Sequence, residues 1–250
     1  MILTTIIGID CATQPTKTGL ALGYYDGQAI HLQEVTIGST PETLLESIVG
    51  WISPEIPTLL AIDAPLGWPR NFGDTLAAHQ AGHPLMIDPD LLFRRATDRV
   101  VKELTGKQPL DVGANLIART AHVALKLMAA ISQQLQQPIP LAWEPELTAK
   151  VSAIEVYPAA TLTVYGLRNS GYKGKNGPQI RQTMIPSLAQ HLILPQHTRL
   201  MIEKDHALDA AICVLAGGDF LRGVALAPSE GGVVKKEGWI WVRQPKRKEV

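Results

Sequence analysis

The stretch TTIIGIDCATQPTKTGLALGYYDGQAIHLQEV, residues 4–35, decides the architecture. Residues 2–9 are almost continuously apolar and β-branched, the pattern of a central strand buried on both faces. Thr18–Tyr25 and Gln28–Val35 then flank Asp26–Gly27, the pair that a type I′ turn prefers because both central positions take positive φ. Three sequential antiparallel strands are expected, joined through TQPTK and DG. Asp10 stands at the exit of the first strand. A bare carboxylate there is too costly to bury, so it must be hydrogen-bonded, neutralised or bound to a cation.

Moving outward, STPETLLESIVGWI (39–52) starts a helix, with Thr40 as N-cap, Pro41 at the first helical position and Glu42 at the positive helix end. TLLAIDAPLG (58–67) repeats the opening device, an apolar strand ending in Asp63 and followed by a small residue, proline and glycine. From Trp68 to about residue 110 the chain turns irregular and reads as an insertion over the mouth of the site. Residues 115–137 carry the strongest helical periodicity. KVSAIEVYPAATL (150–162) gives a strand with Glu155 near its end, and SGYKGKNGPQIRQTMIPSLAQHL (170–192) a Gly- and Lys-rich loop entering a helix. DHALDAAICVLAGGDFLRG (205–223) is an Ala-rich helix, EGWIWVRQ a terminal strand paired with GVALA, and residues 246–250 a flexible tail. Strands before, between and after helices indicate a mixed α/β sheet, and residues 1–245 read as one domain.

The composition narrows the function. The chain has 250 residues, 46% of them hydrophobic and 18% charged, and no apolar run long enough to span a membrane. Its N-terminus reads as a first strand and not as a secretion signal. Two cysteines are too few for a disulfide framework and fit a reducing cytoplasm. Both are expected to be small buried residues. Zero formal net charge argues against nonspecific coating of nucleic acid.

The chemistry lies in carboxylates. Asp10, Asp63 and Glu155 end strands, and Asp205 and Asp209, spaced i, i+4, share a helix face on which Ala207, Ala210 and Ala211 allow close approach to a sheet. Singly, each acid has a structural reading, as a cap, a turn brace or half of an ion pair. Together they repel one another, and oxygen ligands without matching His or Cys point to Mg²⁺ or Mn²⁺ held by Asp10, Asp63 and Asp209. Two such ions roughly 4 Å apart hold the attacking and leaving oxygens of a phosphoryl displacement. On that reading the cation neutralises Asp10, and Asp10→Asn leaves the chelated protein as stable as before or more so. Arg94, Arg95, Lys173 and Lys175 are candidates for phosphate contacts. A salt bridge to Asp98 or Asp63 is the alternative for the arginines, solvated loop charge for the lysines. His79, His83 and His206 lack metal-ligand company and read as structural.

GIDCA, AIDAPLGWP, RRATDR, EVYPAATL, YKGK and DHALDAAICVLAG, spread over residues 6–217, resemble the family known as domain of unknown function 429, described as predicted nucleases with a ribonuclease H-like fold. The resemblance implies a five-stranded mixed sheet, its first three strands antiparallel, flanked by helices. It also implies that Asp10, Asp63, Asp205 and Asp209 are the catalytic acids of the first strand, the fourth strand and the last helix. Glu155 falls in the family's EVYPA motif. The expected activity is metal-dependent phosphodiester hydrolysis of nucleic acid or a nucleotide. Sugar kinases and actin-like ATPases share the core and a similar opening, but TQPTKT is not a Gly-rich phosphate cradle. A noncatalytic binding domain with structural carboxylates is the third reading.

Overall fold

The structure, a computed structural model, describes residues 3–113, 115–229 and 231–245. The expected tail, 246–250, lies outside them. The strands are β1 (Thr4–Asp10), β2 (Gly19–Tyr25), β3 (Ile30–Ile37), β4 (Thr58–Asp63) and β5 (Val151–Glu155). They form one sheet in the order β3-β2-β1-β4-β5. β1 pairs antiparallel with β2 and parallel with β4, β2 antiparallel with β3, and β4 parallel with β5. This is the ribonuclease H-like arrangement that the resemblance implies. The hairpin turn differs from the expected one. Asp26 Oδ1 accepts from the backbone of Gln28 (2.8 Å) and Ala29 (2.7 Å), so the turn spans 26–29 and only Gly27, at φ 93°, takes positive φ. The aspartate closes the turn through its side chain, which removes the need for the strained type I′ conformation.

Helices cover both faces. They are α1 (Pro41–Trp51), α2 (Arg70–Leu76), α3 (Pro89–Phe93), α4 (Ala96–Thr105), α5 (Asn115–Leu135), α6 (Pro158–Val164), α7 (Gly177–Leu188), α8 (Arg199–Glu203), α9 (Asp205–Leu221) and α10 (Gly231–Glu237). Thr40 caps α1 as expected, its hydroxyl accepting from Thr43 N while Thr43 Oγ1 accepts from Thr40 N. The two-residue period of the strands sorts the core. Ile7, Ile9, Leu60 and Ile62 pack with Leu44 and Ile48 of α1 and Ala124 and Ile131 of α5. Ile6, Leu59 and Ala61 pack with α9 on the other face. α9 is buried along nearly its whole length because small residues meet it. A Cβ on Gly8 of β1 would lie 2.1 Å from Ala210 O. This seat brings the N-terminal turn of α9 beside the ends of β1 and β4.

The segment expected to be irregular, 68–110, contains α2, α3 and α4. The expected terminal strand is not formed among the described residues; GVALA and EGWIWVRQ meet at one antiparallel bridge, Ala225 with Arg243, where Leu226 N donates to Val242 O (2.8 Å) and Gln244 N to Val224 O (3.0 Å). Among the described residues no helix is long and apolar enough to cross a membrane.

Candidate functional site

Asp10 and Asp63 are register partners at the ends of the parallel strands β1 and β4. Asp209, buried in the first turns of α9, stands over the same sheet edge. The three sense one another's charge. Burial, then the charges of Asp10 and Asp209, hold the Asp63 carboxyl well above the usual carboxylate range. Burial also raises Asp209, against the pull of Lys173.

Two of the three are engaged by protein side chains. The His206 Nδ1–H donates to Asp10 Oδ2 at 2.6 Å, and this bond raises the imidazole's proton affinity. Tyr172 OH donates to Asp209 Oδ1 at 2.9 Å, and Lys173 Nζ lies 2.5 Å from Asp209 Oδ2, an ion pair outside hydrogen-bond geometry. The loop bearing Tyr172 and Lys173 is anchored by buried Arg181, which donates to the carbonyls of Tyr172, Ile202 (2.8 Å) and Glu203 (3.0 Å). Asp63 differs: no hydrogen bond or ion pair engages its half-buried carboxylate among the described residues. Asp205, first residue of α9 and half-buried, acts on the site by raising His206.

The other sequence candidates are engaged differently. Arg95, expected to contact phosphate, is 1% exposed. Its guanidinium donates to Glu155 Oε1 (2.7 Å) and Oε2 (2.8 Å), to Asp98 Oδ1 (2.9 Å) and to Glu237 O (3.2 Å). Glu155, expected to be catalytic, is 4% exposed and also accepts from Leu66 N at 3.0 Å. Both its oxygens thus have partners in the fold, and the pair is a buried cross-link between the start of α4 and β5 in which every guanidinium N–H of Arg95 is engaged. Arg94 pairs with Asp90 (2.5 Å) and Asp111 (3.3 Å) on the helical segment. Lys173 faces the carboxylates, whereas Lys175 is exposed two residues along the same loop. Sequence reading set His206 aside and left Tyr172 unremarked. The available signal for His206 was its place inside DHALD, one residue into the helix that meets the end of β1.

Beside Asp63 a cavity of about 490 Å³ opens, lined by Pro65, Leu110, Ile117, Tyr157, Asn169 and Lys173 among others. Trp68, Phe72 and Phe93 of the inserted segment do not line it; Phe72 and Phe93 pack on each other with centroids 6.1 Å apart. Cys11, at the cavity, and Cys213 are both buried. Burial pushes the Cys11 thiol up to about 12, which makes it a poor nucleophile.

As the side chains stand, no group of three or more His, Cys, Asp or Glu among the described residues is arranged to hold a metal ion. The donor chemistry nevertheless suits a hard divalent cation: three carboxylates, one without a partner, in a cluster short of positive charge. Seating an ion on all three requires the Lys173 ammonium to leave Asp209.

A family model described as protein of unknown function (DUF429) matches residues 8–231. Among solved structures the chain is similar to T. thermophilus RuvC in complex with Holliday junction substrate, at 11% identity and a TM-score of 0.32, over 88% of this chain and 96% of that one. No curated protein matches the sequence.

Proposed function

We propose, from the premise that the chain belongs to the DUF429 family, that it is a metal-dependent phosphodiesterase acting on nucleic acid or a nucleotide. The observation that carries this reading is the register pairing of Asp10 with Asp63 under Asp209, with Asp63 in no hydrogen bond or ion pair among the described residues and the charge of Lys173 reaching it without contact. A protein that needed these acids only for stability would pair all three. Asp10, Asp63 and Asp209 would hold Mg²⁺ or Mn²⁺, which when bound would polarise a phosphoryl oxygen and activate water.

The remaining roles belong to the chain. Lys173, half-exposed on its anchored loop, neutralises Asp209 in the resting protein and is placed to meet a phosphate when it lets go. His206 fixes the orientation of Asp10 through one ring nitrogen. Buried Arg95 and Glu155 hold the cavity floor rigid. Two buried thiols suit a reducing, cytoplasmic setting.

Nucleic-acid substrates of paired, unpaired and branched form, incubated with Mn²⁺ and with chelator, test the reading. Cleavage that needs the ion and disappears in Asp63→Asn supports it. The engagement of Asp10 by His206 and of Asp209 by Lys173 favours a second reading, a noncatalytic domain. That reading requires that no Mn²⁺ binding depend on the carboxylates.

A further inference from the structure

We infer that the cavity beside Asp63 receives a single unpaired nucleotide, base inward and phosphate toward the carboxylates. Its volume, about 490 Å³, falls among small-molecule pockets, which span about 300–1,000 Å³. The two ends differ in chemistry. Asp63 and the Lys173 ammonium mark the end suited to a phosphate and its counter-ion. The floor, Arg95 with Glu155, is already satisfied and asks for no polar ligand. The walls are apolar, from Pro65, Ile117, Tyr157 and Leu110, and Leu110 is 70% exposed at the lip among the described residues.

Two polar groups stand ready for a base edge. The Tyr157 hydroxyl makes no hydrogen bond among the described residues. Asn169 Nδ2 donates to Thr163 Oγ1 at 2.7 Å, which leaves its amide oxygen unengaged. A donor and an acceptor among apolar walls suit a heterocycle that carries both on its rim. A base inside a duplex has its faces stacked and its edge paired, so it cannot offer either to this cavity. The ligand is therefore a free nucleotide or a nucleotide swung out of a strand. Only the placement of the phosphate rests on the phosphodiesterase reading.

Calorimetry with Ca²⁺ in place of Mn²⁺, a hard cation that supplies the phosphate its counter-ion, separates the cases. The probes are a nucleoside 5′-monophosphate, a fully paired duplex and the same duplex with one unpaired nucleotide. The bulged duplex and the monophosphate are expected to bind, the paired duplex far more weakly. Leu110→Asp should weaken binding at least about fivefold, as loss of one base contact does, while melting unchanged because Leu110 is exposed. Binding of the monophosphate without the bulged duplex assigns a free nucleotide. Equal binding of paired and bulged duplexes, no binding of any probe, or indifference to Leu110→Asp overturns the inference. Adding Mn²⁺ to the bound complexes keeps the two claims apart. Binding without cleavage sustains the cavity and removes the phosphodiesterase reading, whereas cleavage unaffected by Leu110→Asp does the reverse.

Discussion

Asp63 and Asp10 are register partners, yet their substitutions should have opposite signs. Asp63 has like charges near and no partner, so Asp63→Asn in chelator relieves repulsion and leaves the melting temperature level or raised. Asp10 carries the His206 bond, so Asp10→Asn exchanges a charged acceptor for a neutral one and costs about 1 kcal/mol. Paired thermal melts check both. This revises the sequence expectation for Asp10, which counted only carboxylate repulsion because the His206 partner lies 196 positions away. The strand-end acids were legible, since a carboxylate closing an apolar strand stands out locally. The pairing of Arg95 with Glu155 was not legible for the opposite reason: their meeting spans 60 positions, and no local pattern distinguishes an arginine bound for the core from one bound for phosphate. Arg95→Met leaves Glu155 and Asp98 buried without a cation and should cost about 3–5 kcal/mol in denaturant unfolding.

At the scale of elements, the site depends on how closely α9 lies on β1. Gly8→Ala drives a Cβ against Ala210 O, one residue from Asp209, so the helix must lift. The expected result is destabilisation of about 1–3 kcal/mol together with weaker Mn²⁺ binding, measured by unfolding and titration on the same variant. Gly73→Ala, in α2 with nothing within 4 Å of the new Cβ, is the control and should stabilise by a few tenths to about 1 kcal/mol. The Ala-rich composition of α9 announced this close approach, and strand and helix periodicity announced the sheet. The short helices α2 and α3 escaped because 5 to 7 residues, with Gly73 inside one and Pro89 opening the other, carry too few turns for a period to register, and α4, 10 residues without either, was passed over with the irregular sequence around it. The hairpin turn was placed correctly but mistyped, because Asp-Gly serves a side-chain-closed turn as readily as a type I′ one.

Across the whole molecule, the buried acids set an unusual pH dependence. Asp63, Asp209 and Glu155 have raised proton affinity in the folded chain, and so does His206. For each group the folded state binds protons that the unfolded state has released, so stability falls as pH rises through the folded values. In chelator the melting temperature should therefore drop as pH rises from about 4, where the unfolded carboxyls release their protons, through about 6, the folded value of Asp209, and Asp63→Asn should flatten that slope. Mn²⁺ should offset the drop, because it binds deprotonated carboxylates. Lys173→Met removes the ammonium that a cation must displace from Asp209, and its Mn²⁺ affinity should exceed that of the wild type. The most direct test of the metal-centre claim is calorimetric titration of Mn²⁺ into wild type and Asp63→Asn at neutral pH. The account predicts saturable binding to the wild type and none to the variant, which remains folded. Equal binding to both, or no binding to either, would contradict it.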